Sequence, residues 1–162
     1  MVHALINVAL ISGARRKELC LLDRSDYENF KPKLHIKTIK RGRERIVFLD
    51  KKTERLLDTY LRTRKDKNPA LFVDERGNRL NPDTLTTIFV GIRKTARIRK
   101  KTGLHGIRRG RVTMLAQEGF SSLQLAAQYG WKSDKMPALY SRLEAKDIEK
   151  EVRRKDPFYK RK

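Results

Sequence analysis

The sequence predicts an α+β domain, mostly α-helical, with a small antiparallel β-hairpin or sheet at one edge. Three observations point there. Apolar residues recur at helical spacing through most of the chain. Only one pair of segments alternates with period two, and a basic link containing a glycine joins that pair. The length, 162 residues, suits one domain with a core of its own.

The elements follow in order. Val2–Ile11 is mostly apolar with helical spacing and stops at Ser12-Gly13. A second short helix is expected over Glu18–Leu22, with the lone Cys20 as a small core residue. Lys33–Ile39 and Glu44–Asp50 read as strands: Leu34, Ile36 and Thr38 alternate with charge or histidine, and Ile46 and Phe48 share a face. Lys40-Arg41-Gly42-Arg43 is the hairpin link. Thr53–Arg64 is a helix with a stripe of Leu56, Leu57, Tyr60 and Leu61. Leu71–Leu80 reads as a short strand or tight loop around Arg76-Gly77-Asn78. Asn81-Pro82 starts a helix carrying Leu85, Ile88, Phe89 and Ile92, with a cap side chain before a proline at the first helical position. His105–Glu118 is helical up to Gly119, and Ser121 with Gln124 forms a capping box for Ser122–Tyr129. A polar helix, Glu144–Lys155, ends before Pro157.

Charge narrows the function. There are 40 Lys and Arg against 19 Asp and Glu, a formal charge of +21. So large a charge repels itself in a folded domain, and basic residues spread along the whole chain point to nucleic acid as the partner. The apolar run Val8–Ile11 is far too short to span a bilayer, and Met1–Gly13 lacks the basic leader of a secretory signal. A cytoplasmic, DNA-associated protein without membrane contact is the expectation. One cysteine excludes a disulfide framework within the chain and a Cys-based metal site.

Four pieces of sequence carry chemistry: Ser12-Gly13-Ala14-Arg15-Arg16-Lys17-Glu18-Leu19, the hairpin shoulder at Lys40, His105-Gly106-Ile107-Arg108, and Gly130-Trp131 followed by Tyr140. In order and spacing, from Ala9 to Tyr140, the set resembles the tyrosine recombinase (phage integrase) family. It matches that family's Gly-x-Arg-x-x-Glu-Leu box, hairpin lysine, His-x-x-Arg box, and Gly-His/Trp followed by a tyrosine. The resemblance implies the family's catalytic-domain fold and its activity: cleavage and rejoining of double-stranded DNA by transesterification through a 3′-phosphotyrosine. It assigns Arg15, Lys40, His105, Arg108, Trp131 and Tyr140 as catalytic residues, with Glu18 supporting Arg15.

The residue types suit that chemistry. Attack on a phosphodiester spreads negative charge over the non-bridging oxygens, which two guanidiniums hold by forked hydrogen bonds that lysine cannot reproduce. The glycine-based register favours Arg15 over its neighbour Arg16. His105 and Arg108 lie three apart on one helix face, and an imidazole is suited to handle a proton near neutrality. A free phenol with a pKa near 10 is only about 0.1% ionised at pH 7, so ionising Tyr140 outright would cost roughly 4 kcal/mol. Cations and a base beside it must lower that cost. The resemblance makes Lys40 the general acid for the leaving 5′-hydroxyl, over Lys37, Arg41 and Arg43. Trp131 stands where many members have histidine; its indole N–H can bond a phosphate oxygen but accepts no proton. His3 and His35 receive no role.

No metal or other cofactor is expected, neither magnesium nor ATP, because arginines supply the positive charge and a phosphotyrosine conserves the bond energy. Met136-Pro137 and Arg109-Gly110-Arg111 depart from the family pattern; the former bears on the helix of Tyr140, and Gly110 weakens a helix interior by about 1 kcal/mol. The expected organisation is a single catalytic domain, residues 1–143 as core and 144–162 as polar helix and basic tail, with the family's N-terminal DNA-clasping domain absent. Self-association as a tetramer on DNA is expected of the full-length protein, with a viral or mobile-element source. A type IB topoisomerase or telomere resolvase is the enzymatic alternative, and a non-catalytic basic nucleic-acid-binding protein the other.

Overall fold

In the computed structural model, which describes residues 1–37, 43–99 and 103–133, the chain opens with helix α1 (Val2–Ser12). Its inner face buries Ala4, Leu5, Val8 and Ala9. It ends because Gly13 turns left-handed, φ 53°, with its N–H donating to the Ala9 carbonyl at 3.0 Å. Helix α2 (Arg16–Cys20) begins two residues earlier than the expected Glu18 start. The reason is local: the Glu18 carboxylate accepts from the Arg15 N–H at 2.8 Å and so caps the helix from its own third position.

The sheet holds three antiparallel strands, β1 (Tyr27–Glu28), β2 (Lys33–Ile36) and β3 (Arg45–Phe48), in that order. Leu34 faces Val47 and His35 faces Ile46. The two longer strands are shorter than expected, and β1 was not expected, since two residues show no alternation. Ile46 and Phe48 do share a face, and it is the solvent face, 44% and 73% exposed. The inward face of β3 carries Val47 and, against its polarity, Arg45. The hairpin tip with Lys40, Arg41 and Gly42 lies outside the described residues.

Helix α3 (Lys51–Thr63) is capped by Asp50, whose carboxylate accepts from the Thr53 N–H at 2.7 Å. The connection to the next helix turns at Gly77, φ +78°, with Val73 bridging Arg79, so the segment is a tight loop. Helix α4 (Pro82–Thr95) starts as expected, the Asn81 side chain accepting from the N–H groups of Asp83 and Thr84. Helix α5 (Leu104–Gln117) and helix α6 (Ser122–Tyr129) follow, the latter with its capping box formed in both directions.

Two apolar clusters result. The larger joins α1, α2, the sheet, α3 and α4 around Leu5, Leu22, Leu34, Leu57 and Leu85. The smaller packs Val112 and Ala116 of α5 on Leu125 and Tyr129 of α6. Helix α6 rests on β3 as well as α5, so the ends of α1 and α6 meet beside β3. Among the described residues no helix is long and apolar enough to cross a membrane. The expected polar helix Glu144–Lys155 lies outside them.

Candidate active site

Two knots of charge form where these elements meet. The first centres on Glu18, whose side chain is 2% exposed. One of its oxygens, Oε2, accepts from the Arg15 N–H at 2.8 Å and from Arg45 Nη2 at 2.9 Å. The other, Oε1, accepts from Arg15 Nη1 at 2.6 Å. Arg45 is buried with it at 3% exposure, whereas the Arg15 side chain remains 44% exposed. Burial pushes the Glu18 carboxyl up, and its contacts with Arg45 and Arg15 more than reverse this, holding it below the ordinary carboxylate range. One anion thus anchors two cations, and the one nearer the surface keeps donors facing outward.

The second knot centres on Arg108, one turn into α5 and 5% exposed. Its Nη1 donates to the Gly13 carbonyl at 2.7 Å and its Nη2 to the Tyr129 carbonyl at 2.9 Å. Those oxygens belong to the C-terminal ends of α1 and α6, where helix dipoles concentrate partial negative charge. Each helix ends at a left-handed glycine, Gly13 and Gly130. A Cβ on Gly13 would stand 2.3 Å from the Tyr129 ring, and one on Gly130 would stand 2.5 Å from the Arg43 carbonyl. The glycines of both sequence boxes are therefore packing requirements, Gly13 against the Tyr129 ring and Gly130 against the Arg43 carbonyl and the Arg45 side chain. The rings of Tyr129 and Trp131 flank the Arg108 guanidinium, with centroids 4.9 and 5.0 Å from its central carbon.

Among the described residues, no carboxylate pairs directly with Arg108. Burial, then the like charges of Arg15 and Arg45, draw its guanidinium down to about 10. It stays charged at neutral pH, as guanidiniums do. Among the described residues, Arg15 and Arg45 thus pair with Glu18 while Arg108 only feels its charge, leaving an excess of fixed positive charge. A cleft of about 630 Å³ opens alongside, with Arg43, Arg45, Trp131 and Lys132 in its walls.

A model of the phage integrase family matches residues 2–147. The chain belongs to the phage integrase family. Among curated relatives, this family member is 27% identical over 145 residues to the tyrosine recombinase XerA of Pyrococcus horikoshii, covering 87% of the chain and 50% of the relative. It thus spans about half the length of the curated relatives it matches. Among solved structures it is similar to an XerA recombinase, with a TM-score of 0.82 at 24% identity over 96% of this chain and 58% of that one. It is also similar to the XerH recombinase bound to its difH substrate in a post-cleavage complex, with a TM-score of 0.77 at 24% identity over 94% and 45%. These likenesses establish the tyrosine recombinase catalytic-domain fold.

Of the integrase-family positions singled out in the sequence, the structure brings Arg15, Glu18, Arg108 and Trp131 together. His105 sits exposed in the first turn of α5, one turn before Arg108. Arg16 leads elsewhere: its Nη1 donates to the Thr86 hydroxyl of α4 at 3.0 Å. Lys40 and Tyr140 lie outside the described residues. The three described tyrosines are occupied or buried. Tyr27 donates to Asp58, Tyr60 accepts from the Val73 N–H, and the Tyr129 phenol is enclosed and pushed up by burial.

Sequence reasoning missed Arg45. The signal was there: Arg45 is in phase with Val47 and Leu49, both buried, and out of phase with Ile46 and Phe48. Pattern reading favours the apolar pair as the inward face; only the distant Glu18 makes the opposite choice stable.

Proposed function

We propose that this chain is the catalytic part of a site-specific DNA recombinase or integrase that cuts and rejoins strands through a 3′-phosphotyrosine. The observation carrying this reading is the excess of fixed positive charge among the described residues where Arg15 and Arg45 pair with Glu18 and the unpaired Arg108 stands within reach of their charges. Such a site holds more positive than negative charge, and a phosphodiester brings an anion to it. The transition state, richer in negative charge on its non-bridging oxygens, fits better still.

In the proposed reaction the Tyr140 oxygen attacks phosphorus, the bond to the 5′-oxygen breaks, and a 3′-phosphotyrosine forms. Arg15 and Arg108 hold the non-bridging oxygens. Arg108 has its Nη2 and Nη1 tied to two carbonyls, so its position is fixed before substrate arrives, which lowers the reorganisation needed during reaction. His105 takes the phenol proton, Lys40 supplies a proton to the leaving oxygen, and the Trp131 indole N–H bonds a phosphate oxygen. Rejoining reverses these transfers, so neither metal nor nucleotide is consumed. Double-stranded DNA is the substrate, and exchange between two duplexes requires self-association, as a tetramer, on DNA. The phenols of Tyr27, Tyr60 and Tyr129 are all engaged or enclosed, which favours a nucleophile from the C-terminal part of the chain.

The test is a nicked duplex that loses its leaving strand, so the covalent complex accumulates and is read on a denaturing gel. A protein–DNA adduct is expected with the wild type and none with Tyr140→Phe. An adduct that persists in Tyr140→Phe moves the nucleophile elsewhere; duplex binding without any adduct assigns a non-catalytic binding protein. Adduct formation without joining of two duplexes indicates a topoisomerase or resolvase.

A further inference from the structure

We propose that Arg45 is a positioning residue for strand cleavage, fixing through Glu18 the direction in which Arg15 presents its free donors to phosphate. The geometry is a relay. Arg45 Nη2 and the Arg15 N–H share Oε2 of Glu18, which leaves Oε1 to hold Arg15 Nη1 at 2.6 Å. The Arg15 bonds come from one short segment; Arg45 adds a donor on Oε2 from a separate element, which restrains the rotation of the carboxylate further. Arg15 caps the short helix that carries Glu18 three residues on, whereas Arg45 reaches them from β3. The carboxylate is thus aimed by an element that α2 does not control.

A second observation separates this from a scaffold role. Among the described residues, Arg45 Nε and Nη1 are buried without a hydrogen-bond partner. Burying donors in that way is unfavourable, and a guanidinium retained only for packing would be better replaced by an apolar side chain. Room for the group is also provided: a Cβ on Gly130 would lie 3.3 Å from Arg45 Nη1, and the Arg43 N–H donates to the Gly130 carbonyl at 3.1 Å. Arg45 therefore joins the base of the Lys40 hairpin, the start of α2 and the Gly130-Trp131 turn. The groups facing Glu18 are Arg15 from α2 and Arg45 from β3, with the charge of Arg108 on α5 beyond them.

The inference rests on the strand-cleavage reading for its rate measurement, and a binding measurement stands independently. Trp131 is the one tryptophan of the chain and lies beside Arg108, so its fluorescence reports inorganic phosphate entering the site. In Arg45→Met, adduct formation at saturating nicked DNA is expected to fall about 10- to 100-fold, with the half-saturating DNA concentration little changed. Phosphate affinity should weaken in parallel. Without Arg45 the Glu18 carboxyl titrates higher, so the acid limb of the cleavage profile moves toward neutral pH; adding Glu18→Gln abolishes that displacement. Arg45→Lys, which keeps charge and stem, should recover part of the rate. A folded Arg45→Met that cleaves and binds phosphate like the wild type overturns the proposal. If Arg45→Met does not fold, Arg45→Lys is read by the same criteria, and failure of both to fold assigns Arg45 to the scaffold and also overturns it. Should the wild type form no adduct on any duplex, the strand-cleavage reading fails and the phosphate titration alone decides Arg45; a wild type blind to phosphate overturns both.

Discussion

Two buried arginines in this molecule live in opposite circumstances. Arg64, at the end of α3, has a side chain 3% exposed and a hydrogen bond for every N–H it owns. Its Nε and Nη2 grip the Asp66 carboxylate, Nη1 bonds the Ala70 and Leu71 carbonyls, and Nη2 also reaches the Asn68 carbonyl. The Asp66 hydrogen bond raises its pKa further. Arg108 is equally enclosed, but it has two carbonyls, no directly paired carboxylate among the described residues, and two cations nearby. Its pKa falls where that of Arg64 rises. A guanidinium with all five donors matched closes a loop; one with donors left over, among like charges, is a place for an anion.

Exchange of each for lysine should separate the two most sharply. Arg108→Lys keeps a positive charge but cannot bridge the Gly13 and Tyr129 carbonyls while offering further donors. Its adduct rate is expected to fall about 1000-fold, in line with losing a preorganised donor at a developing charge. Arg64→Lys brings three donors where the arginine makes five bonds, so at least two of the acceptors on Asp66, Asn68, Ala70 and Leu71 lose their partner. It should cost about 3 kcal/mol in urea unfolding, given roughly 1–3 kcal/mol per buried unsatisfied group. The rate per folded molecule should stay at the wild-type level. Comparable rate losses in both variants would erase the distinction.

This contrast also explains what the sequence disclosed. The helices announced themselves through spacing and caps: Asn81-Pro82 and the Ser121/Gln124 box mark their helix starts as observed. Glu18 was legible as a support for Arg15 because both sit in one box. Arg108 stood out through its box, but the way it is held did not, since the Gly13 and Tyr129 carbonyls that tie it are contributed by main chain and have no side-chain signature. Arg45 was hidden for a related reason. A charge in a strand reads as solvent-facing until its partner, 27 residues away, is brought against it. Strand β1 was hidden by its two-residue length, and the start of α2 by a cap that comes from inside the helix.

A smaller effect probes the Glu18 knot through pH. Burial raises the carboxyl and the two arginines lower it further, so its folded pKa lies below the ordinary 4.5. A group depressed in this way contributes stability above its unfolded value and loses it as pH falls through the folded one. Wild-type stability should therefore decline from about pH 4.5 downward, measured by urea unfolding at stepped pH. Glu18→Gln, less stable at neutral pH, should show a shallower decline over the same window. Parallel curves would mean that Glu18 titrates alike folded and unfolded, contrary to a carboxylate held between two cations.

The weakest perturbation is the most discriminating for register. Arg16 follows Arg15 directly and carries the same side chain, yet it leans on α4, bonding Thr86 and lying 4.0 Å from a 98% exposed Asp83. An exposed pair of this kind contributes well under about 1 kcal/mol. Arg16→Ala should lower the unfolding free energy by no more than about 0.5 kcal/mol and leave the rate of adduct formation unchanged. Arg15→Ala, by contrast, leaves Oε1 of Glu18 without its partner and removes the outward donors. If Arg16→Ala instead abolished cleavage while Arg15→Ala did not, the phosphate would be held one residue later in the chain. Glu18 would then be steering a side chain with no part in the chemistry.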